Sequence, residues 1–177
     1  MNCKILPFQP RDRKAQTKMF LFQNPNLVHS ELGSINIKQE TYMNWSCFID
    51  YCFLVAMTIH EELLQRKDLT HTEMQESYSF DLATKVFNSI SLKLNHNHDS
   101  TESQQIKLTH LEAFYLSIYL DNIGRKVDHF NDLAAAYIPA LHNMTQSTYQ
   151  EYDWFHTLVQ TYVEDSYQHS VAKVVEG

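Results

Sequence analysis

The stretch at residues 45–59, WSCFIDYCFLVAMTI, decides what kind of fold this chain can adopt. Only Ser46, Asp50 and Thr58 interrupt its apolar run, and neither Gly nor Pro breaks it. A membrane-spanning helix needs roughly 20 predominantly apolar residues. Because this run is shorter and carries an aspartate near its middle, it predicts a buried helix of a soluble domain, and we expect no membrane partner.

The helix predicted at residues 45–59 is apolar over nearly its whole circumference. At about 100° per residue, Phe48, Cys52, Val55 and Ile59 form one ridge, which we expect to be buried. A helix that is apolar all round must be surrounded by other elements. We therefore predict that this helix forms the centre of the fold.

The composition predicts one mainly helical domain. With 177 residues, of which 44% are hydrophobic, the chain can bury one sizeable core. Three Gly and four Pro are few for a protein of many tight turns. We predict a mainly α fold (α+β with a minor β component), in which residues 1–177 form a single compact domain. Two apolar core helices, at residues 45–64 and 111–123, are accompanied by one β-hairpin.

Capping-box spacings mark the starts of two further helices. Thr72 with Gln75 predicts a helix that ends near Phe87, and Thr109 with Glu112 predicts the start of the second core helix. In each pair, a hydroxyl residue and a residue three positions later can satisfy one another's free backbone N–H groups.

The segments at residues 90–94 and 105–109 alternate apolar and polar side chains on either side of a polar loop. This period of two predicts that they pair as an antiparallel β-hairpin. The alternative is that the helix beginning at Thr72 continues through residue 94. That helix would place one apolar stripe on a single face, made of Phe80, Ala83, Phe87, Ile90 and Leu94.

The first 38 residues carry an excess of basic side chains, although the whole chain has a formal net charge of −7. We predict that residues 1–38 form a basic, irregular or short-stranded segment, with strands near 3–8 and 18–22, packed on the acidic remainder. Alternatively, the segment binds nucleic acid through phosphate contacts from Arg11, Arg13, Lys14 and Lys18. The overall negative charge opposes this second interpretation.

The best local group of metal-ligand residues is Asp128, His129 and Asp132. On a helix these residues are three or four positions apart and can face one point, and imidazole and carboxylate are common ligands of zinc, iron and manganese. Acidic residues near the start of a helix are also explained by the helix dipole alone. A second stripe on the helix after Thr109 aligns His110, Ser117 and Asp121.

Established catalytic and cofactor motifs are absent from the sequence. It has no His-Glu-x-x-His, no Cys-x-x-Cys, and too few glycines for a phosphate-binding loop. We therefore predict no catalytic residue and no cofactor. Three cysteines, an odd number, predict buried free thiols, and residues 1–16 contain no secretory signal pattern, which favours a cytoplasmic location.

Three function hypotheses follow from these observations. The first is a non-catalytic intracellular protein that binds another protein, as a regulator or as a subunit of a complex. The second is a small metal-dependent hydrolase that uses Asp128, His129 and Asp132. The third is a nucleic-acid binder that uses the basic N-terminal segment.

Overall fold

The computed structural model describes residues 12–95 and 102–177. The elements within these ranges are α1 Arg13–Gln23, β1 Glu31–Ile37, α2 Tyr42–Gln65, α3 His71–Asn95, β2 Gln104–Thr109, α4 His110–Tyr119, α5 Asn131–Thr148 and α6 Tyr152–Glu176. Short 3-10 turns precede β1, α2 and α5, and a π-helical turn, Leu120–Gly124, follows α4. The prediction of a mainly α fold with a minor β component is confirmed.

The two strands form a small antiparallel sheet in which Ile35 of β1 lies opposite Ile106 of β2. Alternate residues of both strands are buried, so one face of the sheet covers the core. The predicted pairing of residues 90–94 with 105–109 is wrong. The first of these segments lies in α3, and the second lies within β2, which pairs with β1 instead.

Helix α3 continues through residue 94 because its apolar side chains bury one continuous face. The buried apolar residues of this helix are Ala83, Val86, Phe87, Ile90 and Leu94. Their spacing of three and four residues is helical, and it outweighs the short match to a period of two.

Helix α3 begins one residue after the threonine that caps it. Thr70 Oγ1 accepts a hydrogen bond from the Glu73 N–H at 3.2 Å, and Glu73 Oε2 accepts one from the Thr70 N–H at 2.9 Å. The capping box is therefore two residues earlier than the predicted pair of Thr72 and Gln75. A side chain also joins the two helices directly: the His60 imidazole Nδ1 of α2 lies 2.9 Å from the Ser77 carbonyl oxygen of α3.

The centre of the fold is α4. Every residue from position 110 to position 117 is buried, and the predicted capping box of Thr109 and Glu112 is present at its start. Residues 111–117 therefore match the second predicted core helix. The π-helical turn then buries Leu120 against the same core.

Helix α2 is a core helix as predicted, but it is buried on one face only and is not surrounded on all sides by other elements. Phe48 and Cys52 are fully buried as expected, but Val55 and Ile59 are only partly buried. Ala56 is buried in their place. The buried face is shifted from the predicted ridge by part of a turn, and the opposite face points to solvent.

Helix α1 packs across α6. Its residues 18–22 were predicted as a strand, but Asp12 accepts a hydrogen bond from the Lys14 N–H and caps a helix that includes them. Thr17 and Leu21, four residues apart, are the buried side of this helix, and Leu21 packs with Leu158 of α6. The other strand predicted in this segment, at residues 3–8, lies outside the described residues.

Candidate protein-binding surface

The outward face of α2 carries a row of apolar side chains, which we call the α2 ridge: Met43, Cys47, Tyr51 and Leu54. Spacings of four, four and three residues place them on one line along three turns of the helix. The exposed fractions are 66% for Met43, 42% for Tyr51 and 54% for Leu54, and Cys47 is also exposed. Contiguous exposed apolar side chains are typical of interaction sites.

Acidic residues border the α2 ridge. Asp50 lies beside its middle, and Glu61 and Glu62 follow it on the last turns of α2, all of them exposed. The ridge is also joined to the core, because the Tyr51 ring lies 5.8 Å from that of Phe130. The surface is therefore an apolar row on a rigid helix with a negative border.

Sequence reasoning missed the α2 ridge because it treated the helix as buried on all sides. Phe53 and Leu54 weakened the apparent contrast between the two faces. The polar residues Asp50, Thr58 and Glu61 were the signal that could have found it, since they mark the arc that faces solvent.

The three sequence-predicted metal candidates are exposed. Asp128 and His129 belong to the 3-10 turn Asp128–Phe130, and Asp132 lies in the first turn of α5. Within residues 12–95 and 102–177, no group of three or more His, Cys, Asp or Glu side chains is arranged to hold a metal ion. The hydrolase therefore stays a hypothesis without a metal centre to support it.

The stripe of His110, Ser117 and Asp121 does not converge on one site. His110 is buried and its Nδ1 lies 3.1 Å from the Ser30 carbonyl oxygen. Burial lowers the pKa of His110. Ser117 Oγ donates a hydrogen bond to the Phe114 carbonyl oxygen at 2.9 Å. Asp121 is exposed and forms an ion pair with Arg125.

The basic side chains proposed for nucleic acid are engaged within the molecule. Three ion pairs join α1 to α6 and the residue before it: Arg13 with Glu151 at 2.5 Å, Lys14 with Glu164 at 2.7 Å, and Lys18 with Asp165 at 3.2 Å. The hydrogen bond to Glu164 raises the pKa of Lys14. The fourth candidate, Arg11, lies outside the described residues. These contacts leave less positive charge available for phosphates.

A groove of about 950 Å³ runs between α1 and the second half of α6. Its α1 side is formed by Met19 and Phe22, the latter 87% exposed, and its α6 side by His169 and Lys173. Nothing in its lining distinguishes a particular ligand.

Comparisons of the chain with protein-family models, with curated proteins and with solved structures found no match. Among the described residues, every helix is too short or too polar to cross a membrane.

Proposed function

We propose that this protein is a non-catalytic intracellular binding protein, a regulator or a complex subunit, that engages another protein through the α2 ridge. The supporting observation is the outward exposure of Met43, Tyr51 and Leu54 on one line of a helix whose other face is fixed in the core. Fully burying an apolar side chain of this size contributes about 1.5–3 kcal/mol, so three such residues can anchor a specific interface.

The border of the ridge indicates what the partner surface should look like. Asp50, Glu61 and Glu62 give it negative charge, and a complementary partner presents an apolar groove with basic side chains at its edge. An amphipathic helix laid in such a groove is a common mode of recognition between proteins.

The test is affinity purification of the tagged full chain from its native cells, followed by quantitative mass spectrometry. The variant Leu54→Glu places a charge at the C-terminal end of the ridge. Leu92→Glu is the matched control, since Leu92 on α3 is 56% exposed and Leu54 is 54% exposed. We expect a partner that is retained by the wild type and by Leu92→Glu but lost from Leu54→Glu. Equal retention by both variants would contradict the proposal.

A further inference from the structure

Two histidines and a tyrosine meet where α5 connects to α6, in a cluster that we call the histidine–tyrosine corner. The ring centroid of Tyr152 lies 4.0 Å from that of His142 and 4.2 Å from that of His156. The Tyr152 hydroxyl donates to Ser117 Oγ of α4 at 3.3 Å. One tyrosine therefore links three helices and contacts both imidazoles.

The imidazole of His156 is placed as a neutral group. Its Nε2 is buried and has no hydrogen-bond partner among the described residues, and its ring packs on Phe114 at 5.1 Å. Burial lowers the pKa of His156, and His142 lowers it further, whereas Asp153 acts in the opposite direction. A proton on this ring would leave a charged N–H without an acceptor in an apolar environment, which is costly.

The charged groups around the corner do not compensate for the cost of protonating His156. Asp153 on α6 favours protonation only as the weakest of the three influences on His156. Asp121, in the turn after α4, acts on Tyr152, but it is exposed and lies 2.7 Å from Arg125 Nε. Within the described part of the chain, neither imidazole is hydrogen-bonded to a carboxylate.

We propose that the histidine–tyrosine corner is an acid-sensitive latch, which is closed while the His156 imidazole is neutral and opens when that imidazole is protonated. A proton on His156 buries a charged N–H without an acceptor against the Phe114 ring, and opening of the corner lets water solvate it. The latch therefore opens below the ordinary pKa of histidine, about 6.5.

Opening of the latch would also loosen α1. Trp154 lies in the first turn of α6, between Tyr152 and His156 in the sequence. Its ring packs edge-on against Phe20 of α1 at 5.5 Å and stacks on Tyr149, also at 5.5 Å. When the start of α6 moves, the contact between Trp154 and Phe20 is lost, and acid exposes the Phe20 ring further.

Hydrogen exchange of the full chain tests the latch. Protection of the amides of residues 155–158, the first hydrogen-bonded ones of α6, is measured at about pH 7.5 and about pH 5.5, on either side of the histidine range, and corrected for the pH dependence of intrinsic exchange. The variant His156→Phe keeps an aromatic ring and removes the proton site. His169→Gln is the matched control, because His169 is an exposed histidine on the same helix.

We expect protection to fall about tenfold or more in the acidic sample of the wild type and of His169→Gln, because protonation of His156 favours the open state. His156→Phe should keep its protection at both pH values. If that variant does not fold, His142→Phe takes its place, since His142 is only partly buried, and should reduce the fall. An equal fall in the wild type and in the folded His-to-Phe variant, or no fall in the wild type, would overturn the proposal.

Discussion

The same capping motif occurs twice in this chain, in different surroundings. Glu73 caps an exposed helix start, and hydrogen bonds from Thr70 lower its pKa. The Glu112 side chain is only 6% exposed and accepts hydrogen bonds from Lys93 at 2.6 Å and from Ser89 at 2.8 Å, in addition to the Thr109 N–H at 2.8 Å. Burial makes the second motif part of the core.

Removing the buried carboxylate should therefore cost much more than removing the exposed one. We expect Glu112→Ala to lower the free energy of unfolding by about 2–4 kcal/mol, because Lys93, Ser89 and the Thr109 N–H all lose an acceptor. Glu73→Ala is the matched control and should have a smaller effect, since water replaces its hydrogen bonds. Urea denaturation of both variants measures the difference, and equal losses would show that burial does not matter here.

Single residues were predictable from the sequence where their partners are local. Thr109 and Glu112 are three residues apart, so their motif is visible in the sequence, but Thr72 and Gln75 have the same spacing and the capping box of α3 is formed by Thr70 and Glu73 instead. The predictions that Cys47 and Val55 are buried are wrong, since Cys47 is exposed and Val55 is partly exposed, and both outcomes depend on which neighbours cover α2.

At the scale of the elements, α1 is attached to the rest of the molecule by both ion pairs and apolar contacts. Its three ion pairs to α6 and Glu151 are largely exposed, whereas Leu21 is buried with Val28 and Leu158. Exposed ion pairs contribute little to stability because water already solvates both charges. The apolar contact is then the main attachment.

Leu21→Ala should lower the free energy of unfolding by about 2–3 kcal/mol through the lost contact and the cavity left behind. Lys18→Ala removes the ion pair with Asp165 and should cost less than about 1 kcal/mol. Thermal unfolding of the two variants in low and high salt separates the contributions. A larger loss for Lys18→Ala would mean that charge attaches α1.

The elements also show why part of the fold could not be predicted. Residues 90–94 fit both a strand and a helix over five positions, and only the longer stripe from Ala83 to Leu94 decides between them. The partner of β2 is β1, far away in the sequence, and no local pattern indicates that choice. The α2 ridge escaped prediction for the same reason, since its exposure depends on packing elsewhere.

At the scale of the whole molecule, His110 lies where several parts of the chain meet. Its ring is 5.8 Å from that of Tyr149 and 6.4 Å from that of Phe155, and its Nδ1 faces the Ser30 carbonyl oxygen just before β1. Its Nε2 is buried with no hydrogen-bond partner in the part of the chain that the structure describes. Its protonation therefore bears on global stability.

Because burial lowers the pKa of His110 from 6.5, the unfolded chain binds a proton more readily than the folded one. This contribution to stability is complete above pH 6.5 and is lost as the pH falls below that value toward the lower pKa of the folded state. We expect the melting temperature of His110→Phe to depend less on pH over this interval than that of the wild type. Scanning calorimetry checks this, and parallel profiles would contradict it.

The pairing of β1 with β2 has a consequence for the order in which the chain folds. The whole α2–α3 pair lies between the two strands, so joining the strands first would close a long, unstructured loop, at an entropic cost that grows with its length. When α2 and α3 pack against each other first, they bring the two ends of the intervening chain back toward each other. We therefore expect nucleation in the helical pair, with its local contacts, and closure of the sheet as a late event on the folding pathway.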